Sequence, residues 1–295
     1  MKRILKFSAM LAACLLGTVS GRAGEPRLLP PGVDATLPLD FSARVGGRYE
    51  SNASNSDAGS DQESETFLGA TLTLGTGGVL GRDWRWHAGL QAEGEAAVNF
   101  PDLGHIEAGP TLGLERKLGL GWRAPRLHLD GLFTLRAEGQ SEASGGRVAP
   151  SLSLVLPVTE QAGVELEYLP EWVFADSTVF NTAGHELGVG AWLDVAPGTR
   201  LAARYGFRHG DVVSYAIPPR PDLVAIREVQ STTDAFGPTR VDYRLVAETH
   251  ALEASLTQTL TDQLRLSAGY RWETTRTSGL RYDNHLIQLS LQADF

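Results

Sequence analysis

The side chains best suited to proton transfer near neutral pH are seven histidines, His87, His105, His128, His185, His209, His250 and His285. A histidine acts as a catalytic base only beside a nucleophile or an orienting acid. His105 with Glu107, and His185 with Glu186, have no informative spacing. Neither Gly-x-Ser-x-Gly nor His-Glu-x-x-His occurs. Most of these histidines fall on segments expected to face a polar interior or to lie near a rim, where a hydrogen-bonded role is the expectation. No catalytic residue, metal-ligand set or cofactor motif is expected.

The second available chemistry is electrostatic. Arg44, Arg48, Arg200, Arg204, Arg208, Arg265 and Arg271 fall on the polar face of segments starting near residues 39, 199 and 263. Glu93, Glu95, Glu107, Glu115, Glu165, Glu167, Glu171 and Glu186 fall on the polar face of segments near 84, 103, 163 and 184. If those segments roll into a tube, a basic wall faces an acidic one, with Arg126 and Arg136 interrupting the acidic side. Opposed walls imply either a water-filled lumen that orients polar or zwitterionic solutes, or a narrow interior plugged by Arg–Glu pairs.

The elements that must hold those charges are extended ones. From Leu39 onward the chain alternates with period two, which in a strand puts successive side chains on opposite faces. Leu39, Phe41, Ala43, Val45, Gly47 and Tyr49 face one way, and Asp40, Ser42, Arg44, Arg48 and Glu50 the other. The pattern returns at Leu68 to Leu74 and at Trp84 to Glu95. Nine further segments carry it, near 103–115, 126–138, 147–158, 163–174, 184–195, 199–209, 248–260, 263–273 and 282–295. Twelve strands, mostly of ten or more residues, exceed the usual soluble length and suit a tilted crossing of a bilayer.

Short links are expected at Gly75 to Gly81, Pro157 to Ala162, Ala196 to Thr199 and Thr261 to Asp262. Longer ones are expected at Ser51 to Ser64 and Gly210 to Arg240, with Ser141 to Gly146 and Thr275 to Arg281 intermediate. Alternating short and long connections, with an even strand number, place both termini and the short turns in the periplasm. Trp84, Trp86 and Trp122 then form a lower aromatic girdle. Tyr49, Trp172, Phe174, Tyr205, Phe207, Tyr270 and Trp272 form an upper one. Ser51 to Ser64 is expected to be a flexible acidic loop. Gly210 to Arg240, with Pro218, Pro219, Pro221 and Pro238, either folds inward as a constriction or projects as a contact surface. Pro110, Pro150 and Pro170 fall within strands, so bulges or shortened pairing are expected there.

The first 23 residues read as a secretory signal. Lys2, Arg3 and Lys6 precede an apolar run from Phe7 to Val19, and Gly21-Arg22-Ala23 suits cleavage. Leu11-Ala12-Ala13-Cys14 also matches a lipoprotein box, although the apolar run continues through Leu15 and Leu16. Cys14 is the one cysteine, so a chain cleaved after Ala23 has no disulfide or thiolate site. Cleavage removes four of the 26 basic residues and none of the 35 acidic ones, moving the formal charge from −9 to −13 and arguing against a nucleic-acid partner. The expected organisation is a signal peptide over 1–23, a short periplasmic segment over 24–37, and one transmembrane barrel over 38–295.

The last segment alternates His285, Ile287, Leu289, Leu291, Ala293 and Phe295 with Asn284, Gln288, Ser290, Gln292 and Asp294. It resembles the closing strand of Gram-negative outer-membrane proteins. That resemblance implies an all-β, closed, antiparallel up-and-down barrel in the cell outer membrane, surrounded by lipid and lipopolysaccharide. It also implies that Phe295, Leu291 and Leu289 serve as the C-terminal signal read by the barrel assembly machinery. More loosely, Arg48-Tyr49-Glu50-Ser51-Asn52 is similar to β-barrel porins of polysaccharide export loci. The expected function is a porin-like channel for small polar solutes or saccharides. A non-conducting structural or adhesion barrel and a membrane-embedded lipid or peptide hydrolase are the alternatives.

Overall fold

The computed structural model describes residues 39–295 except 234, 238 and 279. The export signal, Cys14, the 24–37 segment and Pro238 lie outside the described residues. Thirteen strands follow in order: β1 (Leu39–Glu50), β2 (Glu65–Leu80), β3 (Trp84–Ala97), β4 (His105–Lys117), β5 (Arg126–Glu138), β6 (Gly145–Pro157), β7 (Ala162–Ala175), β8 (Thr182–Ala196), β9 (Thr199–Ala216), β10 (Val229–Thr233), β11 (Arg240–Thr259), β12 (Leu264–Thr277) and β13 (Leu280–Asp294). A six-residue helix, α1 (Pro221–Ile226), precedes β10.

Each strand pairs antiparallel with its neighbours, and β13 pairs with β1 from Ser42↔Asp294 to Glu50↔Leu286, so the sheet closes on itself. β9 runs beside β11 from Ala216↔Val241 to Thr199↔Gln258. β10 stands outside this ring, on the other side of β11 above the end of β12, pairing Val229↔Arg244 to Thr233↔Arg240. The barrel proper therefore has the twelve strands expected. Closure gives the wall's N–H and C=O groups partners within the ring, the condition for placing strands in hydrocarbon.

Alternation sorts the two faces. Leu90, Leu112 and Leu135 point outward and are 60%, 63% and 67% exposed, as part of an apolar band that circles the barrel. A band of that extent is unstable against water and at home in lipid. Trp84 and Trp86 mark its lower edge at the start of β3, and Tyr205, Phe207, Tyr270 and Trp272 its upper part.

The three strand prolines all face outward. The β4–β5 ladder skips from Ala108↔Leu135 to Thr111↔Leu132 around Pro110. The β6–β7 ladder skips from Val148↔Trp172 to Leu152↔Tyr168, where Pro150 and Pro170 lie opposite one another. Register is kept across both gaps, so pairing is shortened without a bulge. A register shift occurs instead between Asp194 and Ala196, beside the Gly198 turn.

Some expected boundaries move. Gly75 to Gly81 is not a turn, because β2 continues to Leu80 and its Gly78 leaves the space that the Trp86 indole fills. Thr275 to Arg281 is not a loop of intermediate length, since β12 and β13 extend to Thr277↔Leu280. The Gly210 to Arg240 segment is largely ordered by β-structure: β9 runs seven residues past its expected end, and α1 and β10 fill much of the remainder.

Candidate functional site: the charged lumen and its extracellular cover

All fifteen charged residues expected on the two walls face the interior, as the registers require. Arg44, Arg48, Arg200, Arg204, Arg208, Arg265 and Arg271 lie on β1, β9 and β12. Glu93, Glu95, Glu107, Glu115, Glu165, Glu167, Glu171 and Glu186 lie on β3, β4, β7 and β8. The charges of the two sectors do not stand apart across open water; they are tied to near neighbours, the pairing that the second reading of the walls describes. Arg204 bonds Glu167 at 2.5 Å and also Glu186, joining the two sectors at one border. Arg48 meets Glu95 at 2.8 Å, joining them at the other, with its guanidinium over the Phe67 ring.

Within the acidic sector Arg147, on β6, bonds Glu171 at 2.6 Å and Glu107 at 3.1 Å. Within the basic sector Arg271 meets Glu273 at 2.6 Å and Glu253 at 3.7 Å, while Arg265 meets Asp294 at 2.5 Å. Arg147, Glu253 and Glu273 were not among the expected wall residues. Their inward direction was legible from alternation, but their partnerships depend on interstrand register. The remaining expected residues are also engaged: Arg44 with Gln292, Arg200 with Asp194, Arg208 with the Asp211 carbonyl, and Glu115 with Arg85. Glu165 too is engaged.

The result is a belt of mixed sign near the extracellular end of the wall, in which each carboxylate stands within reach of an arginine: Arg48, Glu95, Glu107, Arg147, Glu171, Glu186, Arg204 and Arg271. Towards the periplasmic end the charged side chains are more open to solvent. Arg200, Arg265, Asp130 and Asp294 are each about a third or more exposed, against near-complete burial of Glu107.

Above the belt the loops meet. Phe100 of the β3–β4 connection touches Phe236 of the β10–β11 connection with ring centroids 4.8 Å apart. Those connections are on opposite sides of a twelve-strand ring, so the contact spans the mouth. Ala143, Val179, Phe180, Tyr215 and Ala235 complete that buried cluster, with Ala53 packed against it. On the other face of the β9–β11 extension, Ala216, Leu223, Tyr243, Leu245 and Leu280 form a second. Glu65 fixes one edge by accepting N–H bonds from Asn99 at 3.0 Å and Phe100 at 2.6 Å.

Ser51 to Ser64 is accordingly a packed element, correcting the expectation of a flexible acidic loop. Asn52, Ser54 and Ser56 are buried and bonded to one another's chain. Its acids have cationic partners: Arg220 bonds Asp57 at 2.6 Å and reaches Asp61 at 3.5 Å, and Arg240 bonds Glu63 at 2.5 Å. Arg220 also bonds Asp222, which holds that carboxyl below the usual aspartate range.

The histidines divide into two groups. His87, His105 and His128 face the lumen beside Asp130, Glu93 and Glu115, at 3.3, 3.8 and 4.0 Å. His185, His250 and His285 point outward towards the upper rim, His285 in the alternation expected of the last segment: each lies on the lipid-facing register and shares a hydrogen bond with a tyrosine, as His209 shares that outward register on β9. Among the described residues no cluster of His, Cys, Asp and Glu is arranged to hold a metal.

No family model and no curated protein matches the sequence. Among solved structures, an outer-membrane channel from Pseudomonas putida F1 superposes with a TM-score of 0.58 at 13% identity, over 94% of this chain and all of that one. The NanC porin aligns at a TM-score of 0.45 with 8% identity, over 87% of this chain and 99% of that chain. The DcaP channel of Acinetobacter baumannii aligns at 0.44 with 9% identity, over 88% and 97%. The last two scores carry no structural inference; the first, joined to the closed ring and its apolar band, gives this chain the fold of a bacterial outer-membrane barrel.

Proposed function

We propose that the chain is a porin-like channel of the outer membrane for small polar or zwitterionic solutes, saccharides included, with an entrance covered by its own packed loops. The observation that carries this reading is the polar lining, charged on most strands of the ring and solvent-open at its periplasmic end. A passage lined this way replaces part of a polar solute's hydration while offering nothing to an apolar one. The belt residues Arg48, Arg204, Arg271, Glu107, Glu171 and Glu186 are the ones assigned to select among solutes. Glu95 belongs to the same belt, and Arg44, Arg200, Arg208, Arg265, Glu93, Glu115, Glu165 and Glu167 line the remainder.

The surrounding lipid and lipopolysaccharide are its structural partners. The Leu289, Leu291 and Phe295 edge, with Phe295 bonded to the Phe41 carbonyl at 2.8 Å, is what the barrel assembly machinery would read. A non-conducting anchor is the second reading, and the cluster spanning the mouth favours it. We assign no hydrolytic role, since the three outward histidines are occupied with tyrosines and the lumenal ones sit beside carboxylates without a nucleophile bonded to them. Liposome swelling separates the channel from the anchor. Vesicles holding the refolded mature chain should swell in isotonic monosaccharide faster than protein-free vesicles. Swelling no faster than that of protein-free vesicles in neutral, anionic and zwitterionic solutes alike would leave only the anchor.

A further inference from the structure

Three outward tyrosine–histidine pairs repeat on successive hairpins of half the barrel. Tyr168 bonds His185 at 2.8 Å, Tyr205 bonds His250 at 2.7 Å, and Tyr270 bonds His285 at 2.8 Å, in each case through the phenol oxygen and Nδ1. All three are diagonal neighbours in the same register. Each histidine stands opposite the residue two beyond the tyrosine, respectively Pro170, Phe207 and Trp272. Every tyrosine is six residues above the first residue of its strand, Ala162, Thr199 or Leu264. At about 3.3 Å per residue and a tilt near 40°, the pairs sit roughly 15 Å above the first residues of their strands, in the upper half of an apolar band about 25 Å tall. The outward positions immediately above them turn polar, with His209 and Asp211 on β9, Glu248 on β11, Arg276 on β12 and Asp283 on β13.

One pair has more built around it. Where β12 and β13 meet the β1–β2 connection, a cleft of about 480 Å³ is lined by Ser51, Asn52, Gln62, Arg281, Asp283 and His285. Ser51 is held there by donating its backbone N–H to the His285 carbonyl at 3.0 Å, while its hydroxyl accepts the His285 N–H at 2.8 Å. The Tyr270 hydroxyl and His285 Nδ1 share one hydrogen bond, which leaves Nε2 as the ring nitrogen that can meet a ligand. Arg281 supplies a permanent cation, lying 3.8 Å from Asp283 and therefore only loosely paired. On the other wall the exposed Gln62 amide suits a sugar hydroxyl.

We infer that this cleft binds the phosphorylated sugar headgroup of an outer-leaflet glycolipid. His285 and Arg281 take the phosphate, the exposed Gln62 amide contacts the sugar, and the acyl chains run down the apolar band past Ile287 and Leu289. The inference rests on the membrane placement above and is independent of whether the lumen conducts. The chemistry at the boundary selects an amphiphile: donors and a cation stand above the girdle and only apolar side chains below it.

The test is native mass spectrometry of the full mature barrel in detergent with EDTA present, comparing bisphosphorylated with dephosphorylated lipid A. The wild type should retain the phosphorylated lipid about tenfold better, the worth of one or two charge-assisted hydrogen bonds. The Arg281→Ala/His285→Ala pair should abolish that preference, Tyr270→Phe should reduce it, and His250→Ala, outside the lining of this cleft, should keep it. Equal retention of both lipids by the wild type, or an undiminished preference in the double variant, overturns the site. Heat-modifiable gel migration certifies folding of each variant. Swelling on the same preparations reports the channel separately, so a barrel that conducts without lipid preference defeats this inference alone.

Discussion

At the scale of single residues, the interior is governed by ion pairs whose partners sit one or two strands away. Glu107 is almost fully buried and accepts from both Arg147 and Thr134. Removing Arg147 strands that carboxylate, and breaking a buried pair from one side costs about 3–5 kcal/mol. Arg147→Ala should therefore lower the urea midpoint of the refolded barrel, followed by tryptophan fluorescence, and adding Glu107→Gln should recover part of the loss. An unchanged midpoint in Arg147→Ala would show that the pair is solvated. Arg204 and Arg208 bear on selectivity: changing both to Glu should move reversal potentials under a salt gradient toward cations. No movement would place them off the ion path. The inward direction of both arginines was legible from period-two alternation alone. Their partners were not, since Arg204 finds Glu167 only through the registers of β7, β8 and β9, which alternation does not specify.

At the scale of elements, the long connections behave as one packed cover. Arg220 holds Asp57, Asp61 and Asp222 at once, so Arg220→Ala should weaken docking of α1 on the β1–β2 connection by on the order of 2 kcal/mol. Limited proteolysis of intact vesicles should then cut between residues 217 and 228 faster than in the wild type. Because Asp222 titrates below its ordinary value, its contribution is complete above about pH 4 and fades only as pH falls through the lowered value. Cutting rates should thus be level from pH 5 to 8 and rise in stronger acid; a rise near pH 6.5 would point to a histidine instead. A wall element can be tested at Gly109, where an added Cβ would run into the Phe133 carbonyl across the gap beside Pro110. Gly109→Val should block formation of the heat-modifiable band. The cover was hidden from the sequence because its polar composition matches that of a solvated loop. Partners far off in the chain make burial of Ser51 to Ser64 favourable: Arg220 and Arg240, some 160 or more residues away from the acids they meet, and Ser214, Tyr215 and Asn284, which bond its backbone. The barrel strands were readable because lipid on one side and water on the other impose a strict two-residue period.

At the scale of the whole molecule, the chain is a closed tube with an apolar outside, a charged inside and a hydrophobic cluster drawn across its extracellular end. The closed outside was legible in strand length, in the girdles and in the parity of the connections. Whether the inside passes solutes is set by how the cover sits, which no local pattern encodes. Phe236→Ala removes a ring from the centre of that cluster and should cost about 3 kcal/mol of cover stability while leaving the twelve-strand ring intact. The most direct measurement is therefore single-channel current through planar bilayers containing the refolded mature chain, wild type against Phe236→Ala. The covered-channel account predicts small, infrequent steps for the wild type and larger or longer-lived ones for the variant. Silence from both, with each shown to be folded and inserted, would contradict it and leave a barrel that anchors without conducting.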